Sequence, residues 1–179
     1  PEDDPMGREA ARLIDQEAAQ LYDAMHGLIP RLTPMLLDQL GLPDALADLA
    51  ERTRAAHPGV QLTLALDLAG AVLAPDAALA LYRAAQEGIT NALRHGKAGR
   101  IVLGLHAADG GAALDVRDDG EGLSEGWRER ASADGDHYGL RWLDERVQAL
   151  GGRASIANEP PRGARLQVWV PGGGEAEEG

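Results

Sequence analysis

The chain has 179 residues, 44% of them hydrophobic, with a formal net charge of −12 and neither Cys nor Phe. That length fits one domain with an appendage, and its core has to be built from Leu, Val, Ile and Ala. Lack of Cys excludes disulfides and thiolate metal sites, the acidic balance argues against a surface that binds nucleic acid by phosphate attraction, and no run reaches the roughly 20 apolar residues of a membrane span.

Residues 1–7 read as a frayed leader. Residues 8–29 read as a helix, with Ala11, Ile14, Ala18, Leu21, Met25 and Leu28 at steps of three and four. Such a stripe suits pairing with another helix. Pro30 and Pro34 interrupt it. After Gly41-Leu42-Pro43-Asp44 a second helix carries Leu46, Leu49, Ala50 and Thr53 on one side and stops near His57-Pro58-Gly59. Val60–Leu68 alternates in the period of a half-buried strand. Pro75-Asp76 opens a third helix that runs through Leu81–His95. Arg100–His106 and Ala112–Asp118 read as strands flanking the turn Asp109-Gly110-Gly111. Residues 124–136 are polar and read as a mobile loop anchored by Trp127. Leu140, Leu143, Val147 and Leu150 mark a further helix ended by Gly151-Gly152. Arg153–Asn158 and Ala164–Val170 read as a closing strand pair. The expected fold is α+β: a two-layer α/β sandwich over residues 59–171, a mixed sheet with helices on one face. A helical segment over 1–58 precedes it, with the boundary near His57–Val60, and a disordered tail over 172–179 follows.

The third helix is the most informative element. Arg83, Glu87, Asn91 and Arg94 share one face, and Leu81, Ala85, Ile89, Ala92 and Leu93 point the other way. A carboxylate and an amide one turn apart suit a hydrated hard cation, because Mg²⁺ takes oxygen ligands and keeps several waters. Arg94, His95, Lys97 and Arg100 form a local basic cluster that could offset phosphate charge in an acidic chain.

In DVRDDGEGL (115–123), period two puts Leu114, Val116 and Asp118 on one face, so Asp118 ends its strand pointing into the apolar layer. A buried carboxylate needs a donor, and an adenine amino group is one. Gly120 and Gly122 let backbone approach a flat base. Alone, an ordinary Asp-Gly turn after a strand accounts for the same residues. HYGL (137–140) opens a helix whose free N–H groups suit phosphate, and the loop before it is long enough for a lid; a ligand-free helix start explains it equally. Leu166, Val168 and Val170 are expected inside and Arg165, Gln167 and Trp169 outside. No His pair has metal-ligand spacing, and neither a G-x-S-x-G nor a Walker-type sequence is present.

Taken in order, these segments over about 60–171 resemble the ATP-binding domain of sensor histidine kinases, the fold shared with gyrase and Hsp90 ATPases. The resemblance implies that Glu87 and Asn91 are the catalytic pair of the N-box. Asn91 would be the Mg²⁺ ligand, with Glu87 ordering the metal's water shell. It implies that ATP is bound by Asn91, Arg94, His95, Asp118, Gly120, Gly122, His137, Tyr138, Gly139, Leu140 and Gly163, with Asp118 reading adenine. Residues 31–53 look like the second dimerisation helix and linker of a subgroup that includes nitrate/nitrite and hexose-phosphate sensors. HYGL with DERVQALGG (144–152) looks like its nitrate/nitrite-sensor branch. Three positions depart from the common pattern: Asp119 where many kinases have Asn, His137 in place of a glycine, and Ala164 where Thr is common.

The implied cofactors are ATP and Mg²⁺, and the implied reaction moves the γ-phosphoryl group to a His and then to a response-regulator Asp. No His here is followed by Asp or Glu, so the phosphoacceptor is expected before Pro1, in a longer protein. Expected partners are a response-regulator receiver domain and, in the intact protein, a homodimer partner, with no nucleic acid and no membrane contact by this fragment. The fragment is expected to be the cytoplasmic portion of a bacterial inner-membrane protein. Two other functions suit the same residues: another ATPase or an anti-sigma-type serine kinase of this fold, or a non-enzymatic nucleotide-binding interaction module.

Overall fold

The structure, a computed structural model, describes residues 33–124 and 138–173. The helix expected over 8–29, the polar loop beyond Ser124, His137 and residues 174–179 of the tail lie outside the described residues. Contacts divide the chain into two compact units, Pro1–Leu36 and Leu37–Gly179. Of the first, only the opening of helix α1 (Thr33–Leu40) is described. The second contains α2 (Leu42–Ala56), β1 (Gln61–Asp67), α3 (Pro75–Arg94), β2 (Arg100–Ala108), β3 (Gly111–Asp118), α4 (Tyr138–Ala149), β4 (Arg153–Asn158) and β5 (Ala164–Pro171).

Helix α2 starts where Gly41 takes φ 79° and Pro43 fits the first turn; it stops at His57, ahead of Pro58. It buries Leu42, Ala45, Leu46 and Ala50, where it packs on β1 and α3. Leu49 and Thr53, expected on one side with Leu46 and Ala50, are only half-buried, and the Thr53 hydroxyl donates to the Leu49 carbonyl at 2.8 Å. Two arginines fasten this helix. Arg54 donates through Nε and Nη2 to the Leu62 carbonyl at 3.1 and 2.7 Å, and Arg52 donates to the Tyr82 hydroxyl at 3.1 Å. The break in packing therefore falls between Leu36 and Leu37, upstream of the change in composition at His57–Val60.

The five strands form one mixed sheet in the order β1-β2-β3-β5-β4. β1 and β2 are parallel, Leu64 opposite Leu103, and every other pair is antiparallel. The parallel pair requires a crossover, which α3 supplies. β2 and β3 are joined by a two-residue turn in which Asp109 and Gly110 have φ 49° and 71°, the left-handed pair that matches strand twist. Period two then sorts the faces. Ile101, Leu103, Leu105, Leu114, Val116, Leu166, Val168 and Val170 are buried beneath α3 and α4. Arg165, Gln167 and Trp169 take the other face, where Arg165 Nε donates to buried Asp115 at 2.6 Å and Arg153 stacks 4.4 Å over Trp169. This is the two-layer α+β arrangement expected from the sequence. Gly172 and Gly173, expected in the tail, are tied to the unit: their N–H groups donate to Gly110 and Val72 carbonyls at 3.0 and 2.9 Å.

Candidate functional site

Helix α3 positions the first wall. Leu81, Ala85, Ile89 and Ala92 are buried as expected, while Leu93 is half-buried. Gly88, in the same buried stripe, lies against Val116 of β3, and a Cβ on it would come within 2.8 Å of the Val116 side chain. The absence of a side chain there lets α3 and β3 approach closely. One turn on, Asn91 Nδ2 donates to Glu87 Oε1 at 3.1 Å. Because that carboxylate accepts only, the amide oxygen of Asn91 is the atom turned elsewhere. The helix ends when the Asn91 carbonyl accepts from both His95 and Gly96, at 3.0 and 2.9 Å.

The second wall is the end of β3 and the loop after it. Asp118 follows Leu114 and Val116 on the inner face, half-buried, and its Oδ1 accepts from the Gly120 N–H at 2.8 Å. Asp119 faces the other way and accepts from the Gly99 and Arg100 N–H groups at 2.9 and 2.8 Å. Those backbone donors hold its carboxyl below the usual aspartate range, the Arg100 N–H contributing most. Glu121 donates its N–H to the Gly96 carbonyl, and its carboxylate pairs with Lys97 at 2.9 Å. This pair lowers the pKa of Glu121 and raises that of Lys97.

Between these walls lies a cavity of about 270 Å³. Asn91 and His95 line it from the α3 side, Asp118 and Gly122 from the β3 side, and Leu140 from α4; Ile156, Ala164 and Leu166 close it from β4 and β5. Thus five expected ATP-site residues, Asn91, His95, Asp118, Gly122 and Leu140, meet at one hollow. Glu87 adjoins it through Asn91. Arg94 is exposed on the last turn of α3 and is not part of the lining. Arg83 donates to Gln86 at 2.9 Å, and burial lowers its pKa. Tyr138 and Gly139 open α4, as HYGL predicts; His137 lies outside the described residues.

Two of the expected glycines lie beside the lining and pack against backbone. Gly120 and Gly163 do not line the cavity. A Cβ on Gly120 would sit 2.2 Å from the Gly96 carbonyl oxygen, and one on Gly163 (φ 101°) would sit 1.8 Å from that of Asp118. Their bareness lets three backbone segments stack behind the cavity wall. Sequence reasoning missed Gly88, Gly96, Glu121, Leu123, Ser124 and Ile156. Gly88 and Ile156 carried a signal, the inward phase of their elements; Leu123 and Ser124 carried none.

A profile of the family described as histidine kinase-, DNA gyrase B- and HSP90-like ATPases matches residues 76–173, from the first turn of α3 to just beyond β5. The chain belongs to this family. It is 30% identical over 164 residues to the signal transduction histidine-protein kinase/phosphatase UhpB of Salmonella typhimurium, covering 92% of this chain and 31% of that protein. It is 26% identical to the sensor histidine kinase LiaS of Bacillus subtilis, covering 89% of this chain and 42% of that one. The chain thus spans less than half the length of these relatives. Its fold superposes on the ATP binding domain of PrrB from Mycobacterium tuberculosis with a TM-score of 0.56 and 29% identity, covering 73% of this chain and 93% of that domain. In this member of the family, the cavity lies where α3 and β3 bring the Asn91 and Asp118 segments together.

Proposed function

We propose that this chain is the catalytic ATP-binding part of a sensor histidine kinase, with the end of the dimerisation region attached over residues 1–58. The observation that carries the reading is the meeting of Asn91 and Asp118 across one cavity, floored by apolar side chains from β3 and β5. Asp118, fixed by the Gly120 N–H, accepts a hydrogen bond from the exocyclic amino group of adenine. Val116, Ile156 and Leu166 offer the ring an apolar surface. The phosphates extend toward Asn91, His95, Arg94 and the start of α4, whose N–H groups at Tyr138, Gly139 and Leu140 suit an anion.

The residues present fit Mg²⁺. No group of three or more His, Cys, Asp or Glu able to hold a metal occurs among the described residues. A cation here would rest on the Asn91 amide oxygen, on water near Glu87 and on the nucleotide's own phosphates, the usual Mg²⁺ arrangement in phosphoryl transfer. When bound it offsets phosphate charge, and the protein's task is positioning and electrostatics. The γ-phosphoryl group then passes to a ring nitrogen of a His upstream of this chain: the bond to ADP breaks, an N–P bond forms, and a base beside the acceptor takes the imidazole proton. A response-regulator Asp receives the group next, in a homodimeric protein. HYGL and DERVQALGG support placement near the nitrate/nitrite-sensor branch. In the intact protein this part faces the cytoplasm from an inner-membrane anchor; no helix among the described residues is long and apolar enough to cross a membrane.

The test is a calorimetric titration with ATP, with and without Mg²⁺, followed by mixing with a dimerisation fragment that carries a His followed by an acidic residue. Acid-labile label from γ-labelled ATP is expected on that fragment, slowly, since tethering is lost. Absence of nucleotide binding overturns the reading. Acid-stable label on a Ser points to a serine kinase, and binding without transfer to an interaction module.

A further inference from the structure

The hairpin between β4 and β5 reaches over the loop that follows β3 and holds it at separate points. Asn158, the last residue of β4, accepts from the Leu123 N–H at 2.5 Å through Oδ1 and donates through Nδ2 to the Leu123 carbonyl at 3.2 Å. Arg162 Nε donates to the Gly120 carbonyl at 3.2 Å. Gly122 sits between these anchors with φ 77°, and a Cβ on it would meet Asn158 Oδ1 at 2.8 Å and the Gly163 carbonyl oxygen at 2.9 Å.

A side-chain amide is suited to this task. It carries an acceptor and a donor side by side, so it can engage both the N–H and the C=O of one residue, as a neighbouring strand would. The side chain is itself placed by the sheet, because Asn158 pairs with Ala164 across the hairpin. Asn158 does not line the cavity, yet Gly122 and Leu123, the residues it fixes, do.

We propose that Asn158 is a positioning residue for the nucleotide: its two bonds to Leu123 hold the Gly122–Leu123 wall in its binding geometry before ligand arrives. The inference rests on the ATP reading above. With Asn158 truncated, the wall stays anchored through Gly120 and Asp118 but has to be ordered at Leu123 when nucleotide binds. That cost falls on affinity. The exposed position of Asn158 leaves the core untouched.

The experiment compares wild type, Asn158→Ala and Asn158→Asp for binding of Mg-ATP, for thermal unfolding without nucleotide, and for hydrogen exchange at the Leu123 amide. Asp keeps an acceptor for the Leu123 N–H and loses the donor to its carbonyl. The expected result for Asn158→Ala is a Kd raised about five- to tenfold, faster Leu123 exchange and little change in Tm, with Asn158→Asp intermediate in all but Tm. A Kd within twofold of wild type in folded Asn158→Ala overturns the proposal, whatever its Tm. Should that variant fail to fold, Asn158→Asp decides by the same criterion. Failure of wild type to bind Mg-ATP sinks the ATP reading; wild-type binding with an unchanged variant sinks only the role of Asn158.

Discussion

Asn91 and Glu87, one turn apart on α3, share a hydrogen bond of 3.1 Å in which the amide nitrogen donates and the carboxylate accepts. The bond engages the amide nitrogen, which leaves the oxygen as the acceptor of Asn91, a residue that lines the cavity. Replacing Asn91 with Ala removes that oxygen without touching the core. Mg-ATP binding should weaken about tenfold, equivalent to about 1.4 kcal/mol, while nucleotide binding without metal changes less. Glu87→Gln keeps an acceptor for Asn91 and should retain more of the magnesium effect than Asn91→Ala. Titrations at several Mg²⁺ concentrations check both. Identical magnesium dependence in wild type and Asn91→Ala would remove Asn91 from the ligand set.

Asp118 offers the corresponding test on the base. Its Oδ1 accepts from Gly120, and an Asn amide oxygen can accept from the same N–H, so Asp118→Asn should fold normally. What it loses is a charge-assisted bond to the adenine amino group, about 1.5–3 kcal/mol. Discrimination between ATP and GTP should fall with it, and competition titrations measure this. Unchanged discrimination would assign adenine recognition elsewhere.

Much of this fold was legible because the inner face obeys simple periods. Leu114, Val116, Leu166, Val168 and Val170 alternate cleanly, and Asp109-Gly110 marks the hairpin turn. β4 begins and ends where its residues predict, and β2 and β5 differ only in running one or two residues further. At His57 composition changes while packing continues: α2 buries Leu42, Ala45, Leu46 and Ala50 with the sheet's unit. Of the residues the sequence singles out, Asn91 on α3 and Asp118 at the end of β3 meet at the cavity, with Glu87 bonded to Asn91. The site was hidden where segments distant in sequence meet. Nothing local in Asn158 or Arg162 points to the loop at 120–123, and nothing local in Gly163 shows that it stacks under Asp118.

Asp119 shows a charge used for structure. Its carboxylate accepts from Gly99 and Arg100 and so ties the end of β3 to the start of β2. The pKa lies below the ordinary value of 3.8. The sign follows: the folded state prefers the ionised form, so this contribution is present above pH 3.8 and lost as pH falls through the lower, folded-state value. Screening at an exposed carboxylate keeps the effect small. Asp119→Asn retains an acceptor but no titrating group, so its stability should fall less steeply in that acid range. Unfolding curves between about pH 2 and 6 compare the slopes, and parallel curves would assign the acid sensitivity to other carboxylates.

The approach of α3 to β3 gives the last prediction. Gly88 has no room for a Cβ, which would come within 2.8 Å of both Cβ and Cγ2 of Val116. Neither partner can step aside easily. Gly88 belongs to a buried helical stripe, and Val116, 2% exposed, is held between the strands on either side. Gly88→Ala raises helix propensity by up to about 1 kcal/mol, yet overpacking costs about 1–3 kcal/mol, so a net loss of stability is expected. Because both residues line the cavity, the same change should weaken nucleotide binding by pushing the walls apart. Val116→Ala opens space where the new methyl needs it. The double variant should therefore be more stable than the sum of the single changes implies, with a coupling of about 0.5–3 kcal/mol. Denaturant unfolding of the four proteins closes the cycle. Simple additivity would mean that α3 sits loosely enough on β3 to accept a side chain, and that Gly88 is present for a reason other than this contact.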